Sequence, residues 1–257
     1  MQLHFRQYSD QGQPLIVLHG LFGSSANWGA HCKKFAETYA VYGVDLRNHG
    51  ESPHADEINY QIMAADVKEL LARLGIEKCY MMGHSMGGKV AMQLALLEPA
   101  LISKLVVVDI APVAYTNKAD GHRQILQGME ALDLAAIRNR ADAETRLQEF
   151  IEDEATRKFI LTNLVRAGEG FKWRLNLKAI HANYDRLREK LEGDTPYTKP
   201  VLFVKGALSN YIHLKHEQEI LRLFPAAKVK IVMEAGHWVH SERSQVFQKI
   251  ALDFLKD

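Results

Sequence analysis

Short apolar runs rich in valine, isoleucine and leucine alternate along this chain with longer segments in which apolar residues return every three or four positions. The runs Leu15–Leu18, Ala40–Val44, Lys78–Met82, Leu105–Val108, Val201–Lys205 and Val229–Met233 have the length and β-branched content of buried strands. Leu3–Tyr8 reads as a candidate antiparallel start. Helical periodicity covers Asn27–Glu37, Gln61–Leu74, Lys89–Leu97, Leu214–Leu223 and Ser244–Phe254. Strand and helix in regular alternation predict an α/β fold, with a mostly parallel central sheet flanked by helices on both faces.

One interval breaks the alternation. Residues 111–195 offer no convincing strand run but several amphipathic, charge-rich helical segments, and so predict an inserted helical lid. Ala111-Pro112 leaves the preceding strand, and Gly193-Asp194-Thr195-Pro196 marks the return. The expected organisation is therefore a core of residues 1–110 and 196–257 with residues 111–195 as the insertion.

At 257 residues the chain is long enough to bury a full core without disulfides, and its two cysteines, Cys32 and Cys79, give neither a disulfide framework nor zinc-ligand spacing. A formal net charge of +1 provides no basic field for nucleic acid. The N-terminus lacks the apolar run of a signal peptide, and no membrane span of 18 apolar residues occurs, so a cytoplasmic location is expected.

The candidate chemistry centres on Gly83-His84-Ser85-Met86-Gly87-Gly88, set between a predicted strand and a predicted helix. A Gly-x-Ser-x-Gly in that context reads as a nucleophile elbow, with the Ser85 hydroxyl at the top of a tight turn. Acyl transfer to serine also needs a base, an acid to orient the base, and donors aimed at the developing oxyanion. His237, in the loop between the last strand and the last helix, is the preferred base, with His240 as its rival. His19-Gly20-Leu21-Phe22-Gly23-Ser24 supplies a glycine turn after the first strong strand. From it the Leu21 amide, with Phe22 as the fallback, would join the Met86 amide as an oxyanion hole.

Together these three motifs resemble the α/β-hydrolase fold superfamily. Asp45-Leu46-Arg47-Asn48-His49-Gly50-Glu51-Ser52 resembles its D-x-R-x-x-G-x-S loop, in which the resemblance implies that Asp45 and Arg47 organise loops. The superfamily's commoner form places the catalytic acid after the penultimate strand, where this chain has Ser209 within Gly206-Ala207-Leu208-Ser209-Asn210-Tyr211-Ile212. A hydroxyl cannot stabilise an imidazolium as a carboxylate does. Asp109, at the end of the strand after the nucleophile's, keeps the chain order serine, acid, histidine and is the expected acid, with Ser209 as an auxiliary and Glu234 as the runner-up. The acid in Asp109-Ile110-Ala111-Pro112-Val113 and the serine before Tyr211-Ile212 resemble the YbfF-type bacterial esterase group.

The expected activity is that of a serine esterase or thioesterase, acting without metal or organic cofactor on a small-molecule ester or thioester through an acyl-enzyme. Carbon–carbon bond hydrolysis, perhydrolysis and ligand binding without catalysis are the alternatives on the same fold. Phe22 and Trp238 are candidate substrate contacts, and Phe171, Trp173 and Tyr184 are candidate apolar lining. Within the insertion, Glu130–Glu154 is acidic and Ala155–Lys190 basic. Arg157, Lys158, Arg166, Lys172, Arg174 and Lys178 therefore form either a solvated face or an approach for an anionic substrate such as acyl-CoA.

Overall fold

A computed structural model describes residues 1–116 and 121–256. In chain order the elements are β1 (Phe5–Gln7), β2 (Pro14–Leu18), α1 (Gly29–Phe35), β3 (Ala40–Val44), α2 (Tyr60–Arg73), β4 (Cys79–His84), α3 (Met86–Leu97) and β5 (Ile102–Val108). An insertion follows, with α4 (Gly121–Ala131), α5 (Arg140–Leu147), α6 (Glu154–Leu161), β6 (Leu164–Ala167), β7 (Gly170–Trp173) and α7 (Leu177–Ala182). The core resumes with β8 (Val201–Gly206), α8 (Glu217–Leu223), β9 (Ala227–Val232), α9 (Val239–Glu242) and α10 (Ser244–Lys256).

Seven strands form one sheet in the order β1-β3-β2-β4-β5-β8-β9, parallel throughout except for β1, which runs antiparallel to β3. Period-two alternation explains how the sheet is covered on both faces. Leu15 and Val17 point toward Trp28, Phe35 and Phe247, while Ile16 and Leu18 point toward the apolar sides of α2 and α3. From β2 the chain first crosses to β3 and then to β4 on the other side, so the loops after β2 and β4 splay apart at a topological switch point. In open parallel sheets such a crevice, at the carboxyl ends of the strands, is where ligands bind.

The insertion differs from the expectation in one respect: it contains a hairpin. β6 and β7 pair antiparallel through Leu164↔Trp173 to Ala167↔Gly170, turning at Gly168 with φ +61°. Four-residue strands carrying Arg166 and Lys172 are too short and too charged to stand out from helical periodicity. Side-chain hydrogen bonds fasten the insertion to the core: Asn163 Nδ2 donates to the Phe22 carbonyl at 2.8 Å and Tyr60 Oη to the Leu187 carbonyl at 2.6 Å. Residues 117–120 of the expected 111–195 interval lie outside the described residues.

Candidate active site

Three strands end in residues that the sequence singles out. Ser85 follows β4, Asp109 follows β5, and Ser209 lies three residues past β8. Backbone pairing continues past the strand ends, with the Ser85 amide donating to the Val108 carbonyl at 3.0 Å and the Asp109 amide to the Val204 carbonyl at 2.9 Å. The sheet itself therefore sets the spacing between serine and acid.

Ser85 takes φ 51° and ψ −117° as the N-cap of α3. Such a backbone is costly for a residue with a Cβ and persists only where its surroundings enforce it. The flanking glycines permit the turn: a Cβ on Gly83 would stand 2.2 Å from the Gly87 carbonyl oxygen, and one on Gly87 would stand 2.4 Å from that of His19. Asp109 and Phe22 also have positive φ, at 50° and 62°. With Asn48 at 65° and Glu234 at 55°, such residues follow β2, β3, β4, β5 and β9, all at the carboxyl edge of the sheet.

Asp109 is fully buried and accepts from three donors. Its Oδ1 takes the Gly206 amide at 3.1 Å, and its Oδ2 takes the Ser209 hydroxyl and, at 2.8 Å, the His237 Nδ1–H. His237 lies in the loop between β9 and α9, where its ring stacks on Tyr211 with centroids 4.0 Å apart. His84, inside the elbow, donates from Nε2 to the His237 carbonyl at 3.0 Å and so ties the histidine loop to the nucleophile turn. The hydrogen-bonded network joins Asp109, Ser209 and His237. Among the described residues, Ser85 stands outside it, on the wall of an adjoining cavity of about 250 Å³.

That cavity is lined by Leu21 and Met86 beside Ser85, by Tyr60, Tyr115, Tyr184 and Tyr211, and by the cations Lys89 and Arg188. Lys89 is buried and donates to the Val113 carbonyl at 2.9 Å and the Glu189 carbonyl at 2.5 Å, bridging the two ends of the insertion. Burial, opposed by Glu189, lowers its pKa to about 7.

Burial also sets the protonation states of the base and acid. It raises the Asp109 carboxyl to about 6, against the pull of the Ser209 and Gly206 hydrogen bonds, and with His122 nearby it lowers His237 to about 3. Near pH 7 the pair is therefore a carboxylate facing a neutral imidazole, the state in which a histidine accepts a proton. His84 is likewise held neutral by burial, at about 3.

Several sequence expectations are corrected here. Phe22 does not line the Ser85 cavity: its side chain is buried, and its amide donates to His49 Nε2 at 3.3 Å, which leaves Leu21 as the amide at the cavity wall. Trp238 lines a separate depression of about 320 Å³ with Phe159, His31 and His240. Of the aromatic residues expected to line the site from the insertion, only Tyr184 reaches the cavity, while Trp173 Nε1 donates to the Met129 carbonyl at 3.1 Å. The rival base His240 stacks on Trp28 at 4.3 Å, and the runner-up acid Glu234 is exposed and paired with Arg243.

The six cations of the insertion do not converge on the cavity. Arg157 turns inward to the Ile151 and Glu152 carbonyls, Lys158 pairs with Glu154, Arg166 lies over Phe171, and Arg174 pairs with Glu51 at 3.4 Å. Asp45 and Arg47 have the loop-organising contacts expected of them. Asp45 accepts the Ser25 and Glu51 amides at 2.6 and 2.9 Å, and Arg47 grips Asp66 through two nitrogens at 2.6 and 2.9 Å.

Sequence reasoning missed the parts played by His84, Tyr211, Lys89 and Arg188. His84 is an unspecified position within the elbow motif, and Lys89 sits in a helical pattern where a lysine reads as solvated. Neither carries a periodic signal of its contacts.

Fold and site define a class. Residues 13–244 match the α/β-hydrolase fold family model, and the chain belongs to that family. Among curated relatives it is similar to the sn-1-specific diacylglycerol lipase ABHD11 of Mus musculus, 39% identical over 94% of this chain and 80% of the relative. It is also similar to esterase YbfF of Escherichia coli (strain K12), 32% identical over the full length of both. Among solved structures, one titled marine microorganism esterase superposes with a TM-score of 0.96 at 36% identity, covering 98% of this chain and 99% of that one.

Proposed function

We propose that this protein is a carboxylic ester hydrolase in which Ser85 is the nucleophile, His237 the general base and Asp109 the orienting acid. The observation that carries this reading is the Asp109–His237 hydrogen bond of 2.8 Å, formed at the end of the strand next to the elbow serine's, with that serine facing a cavity. His237 takes the Ser85 proton as Oγ attacks the ester carbonyl, and the Leu21 and Met86 amides receive the oxyanion. The alcohol leaves with that proton, and His237 then activates water to release the acid. The esterase and lipase names of the relatives support the reading.

In this reading residues 111–195 act as a lid whose Tyr184, Leu187 and Arg188 close the acyl pocket. At about 250 Å³ the pocket is below the roughly 300–1,000 Å³ of sites for drug-sized ligands, which favours short acyl groups. Hydrolysis of p-nitrophenyl esters of increasing acyl length tests this. The expected kcat/KM peaks at short chains and falls at least about tenfold for long ones. No turnover of any ester, with no His237-dependent labelling by a fluorophosphonate probe, would transfer the assignment to a binding protein of this fold.

The acid limb of the pH profile follows from the buried pair. As pH falls through about 6 the pair takes up a proton, either on the carboxylate that holds the imidazolium or on the base itself, so kcat/KM declines about tenfold per pH unit below the limb. The Ser209 hydrogen bond lowers the Asp109 pKa, so Ser209→Ala moves that limb to higher pH. An unchanged limb in this variant would remove Ser209 from the network.

Thioester cleavage uses the same chemistry, but the scattered cations of the insertion give no specific support for acyl-CoA. With no convergent basic approach, turnover of an acyl-CoA is expected to respond to salt no more than that of a neutral ester of equal acyl length. A steep salt dependence confined to the thioester would restore the acyl-CoA reading.

A further inference from the structure

The last strand of the sheet is left uncovered. β9 is an edge strand, and α8, only seven residues long, shields little of it. Among the described residues, six of the eight large apolar side chains that are exposed fall within residues 208–233: Leu208, Leu214, Leu221, Val229, Ile231 and Met233. Leu214 is 91% exposed, Leu208 72% and Met233 70%. Scattered single apolar residues need no explanation, but a contiguous group marks an interaction surface.

This group is contiguous. Leu214, Leu221, Val229 and Ile231 line one open groove of about 850 Å³ between α8 and β9. The Ala207 and Leu208 amides donate to the Val232 and Ala235 carbonyls at 2.9 Å each, which sets Leu208 beside the far end of β9. Lys205 and Lys215 line the groove, with Glu217 as the one acid on its wall among the described residues, and Lys228 and Lys230 flank the same sheet edge from the strand's other face. The neighbouring Glu219 is neutralised by Arg222 through two hydrogen bonds of 2.8 Å.

Exposed apolar side chains on a sheet edge that carries lysines on both of its faces match one chemistry, a lipid surface with anionic headgroups: the leucines enter the acyl boundary while the ammonium groups remain among the phosphates. A second copy fits less well. Antiparallel pairing of two β9 strands about their middle, with faces preserved, sets Lys230 against itself or against Lys228, and like charges directly opposite destabilise a ladder. We infer that the α8–β9 face docks this protein on anionic lipid surfaces. The 207–216 loop links that face to the serine, because Asn210 and Tyr211 line the serine cavity while Ile212 and Leu214 line the groove. A protein docked through the groove thus holds its site next to the lipid.

Co-sedimentation of the full chain with vesicles tests the inference, using phosphatidylcholine alone or mixed with phosphatidylglycerol, at low and high salt. Binding is read without substrate, so it stands or falls apart from the ester reading. Wild type is expected to bind the anionic vesicles and to release as salt rises. Lys228→Glu/Lys230→Glu is expected to weaken binding roughly tenfold or more, and Leu214→Ser/Ile231→Ser to weaken it at both salt concentrations. Both double variants change exposed residues and should hydrolyse a water-soluble short ester within about twofold of wild type, which shows that they fold. Absence of binding to anionic vesicles, or equal binding by the charge-reversed variant, overturns the inference. So does a wild-type dimer that Leu214→Ser/Ile231→Ser turns into a monomer while no form binds vesicles; the face would then belong to a second copy.

Discussion

Ester turnover by Ser85→Ala is expected to fall by about 10⁶-fold, or about 8 kcal/mol of transition-state stabilisation, as when a triad nucleophile is removed from other serine hydrolases. The expectation is sharp because the substitution deletes one oxygen and leaves the surroundings intact. Alanine keeps the Cβ that Ser85 already fits at φ 51°, and the amide bond to Val108 is a backbone contact. The Met86 and Leu21 amides remain available, so a small residue of catalysis over water should persist. Thermal stability should change little. Steady-state hydrolysis of a short p-nitrophenyl ester, measured beside a melting curve, checks both parts. Turnover within tenfold of wild type would show that Ser85 is not the nucleophile.

Asp109→Asn is expected to lower kcat by about 10⁴-fold, about 5 kcal/mol, with KM nearly unchanged. All three groups around the carboxylate donate to it: the Gly206 amide, the Ser209 hydroxyl and His237 Nδ1–H. An asparagine must turn its NH₂ toward one side. If it faces His237, the ring has to accept at Nδ1, which puts the proton on Nε2 and presents Ser85 with a donor in place of a base. If it faces Gly206, two N–H groups oppose each other in a buried site, which costs about 1–3 kcal/mol of stability. Glu234→Gln should stay within about twofold of wild type, because Glu234 points to solvent and pairs with Arg243. A near-normal Asp109→Asn enzyme beside an inactive Glu234→Gln enzyme would reverse the assignment.

The core was legible because buried parallel strands leave uninterrupted apolar runs. Ala40–Val44 was read to the residue, and each remaining core strand departs from its expected bounds by at most three residues at one end or the other. The Asn27–Glu37 helix is shorter than its pattern, since its first turn, Ser25–Trp28, is a 3₁₀ segment before α1. Ser85, Asp109 and His237 stood out because each ends a strand or follows the last one. The pocket walls were not legible. Lys89 and Arg188 line one cavity from positions 99 residues apart in the chain, and the diversion of Phe22 and Trp238 from the cavity depends on rotamers and on partners such as His49 and Phe159, which no local pattern encodes. The β6–β7 hairpin escaped for a related reason, as two four-residue strands are shorter than one helical repeat can be distinguished from.

A carboxylate at the end of β5 also changes what the 207–216 loop has to do. That loop contributes the Gly206 amide at its root and the Ser209 hydroxyl to Asp109, and beyond Tyr211 none of its residues touches the acid. Its outer half is thereby released from the constraint that a catalytic residue imposes on neighbouring backbone. Segments exchanged between Ile212 and Lys215 can then alter what the molecule meets outside while the reaction centre stays as it is, an opening for modular redesign that a chain with its acid on this loop would lack.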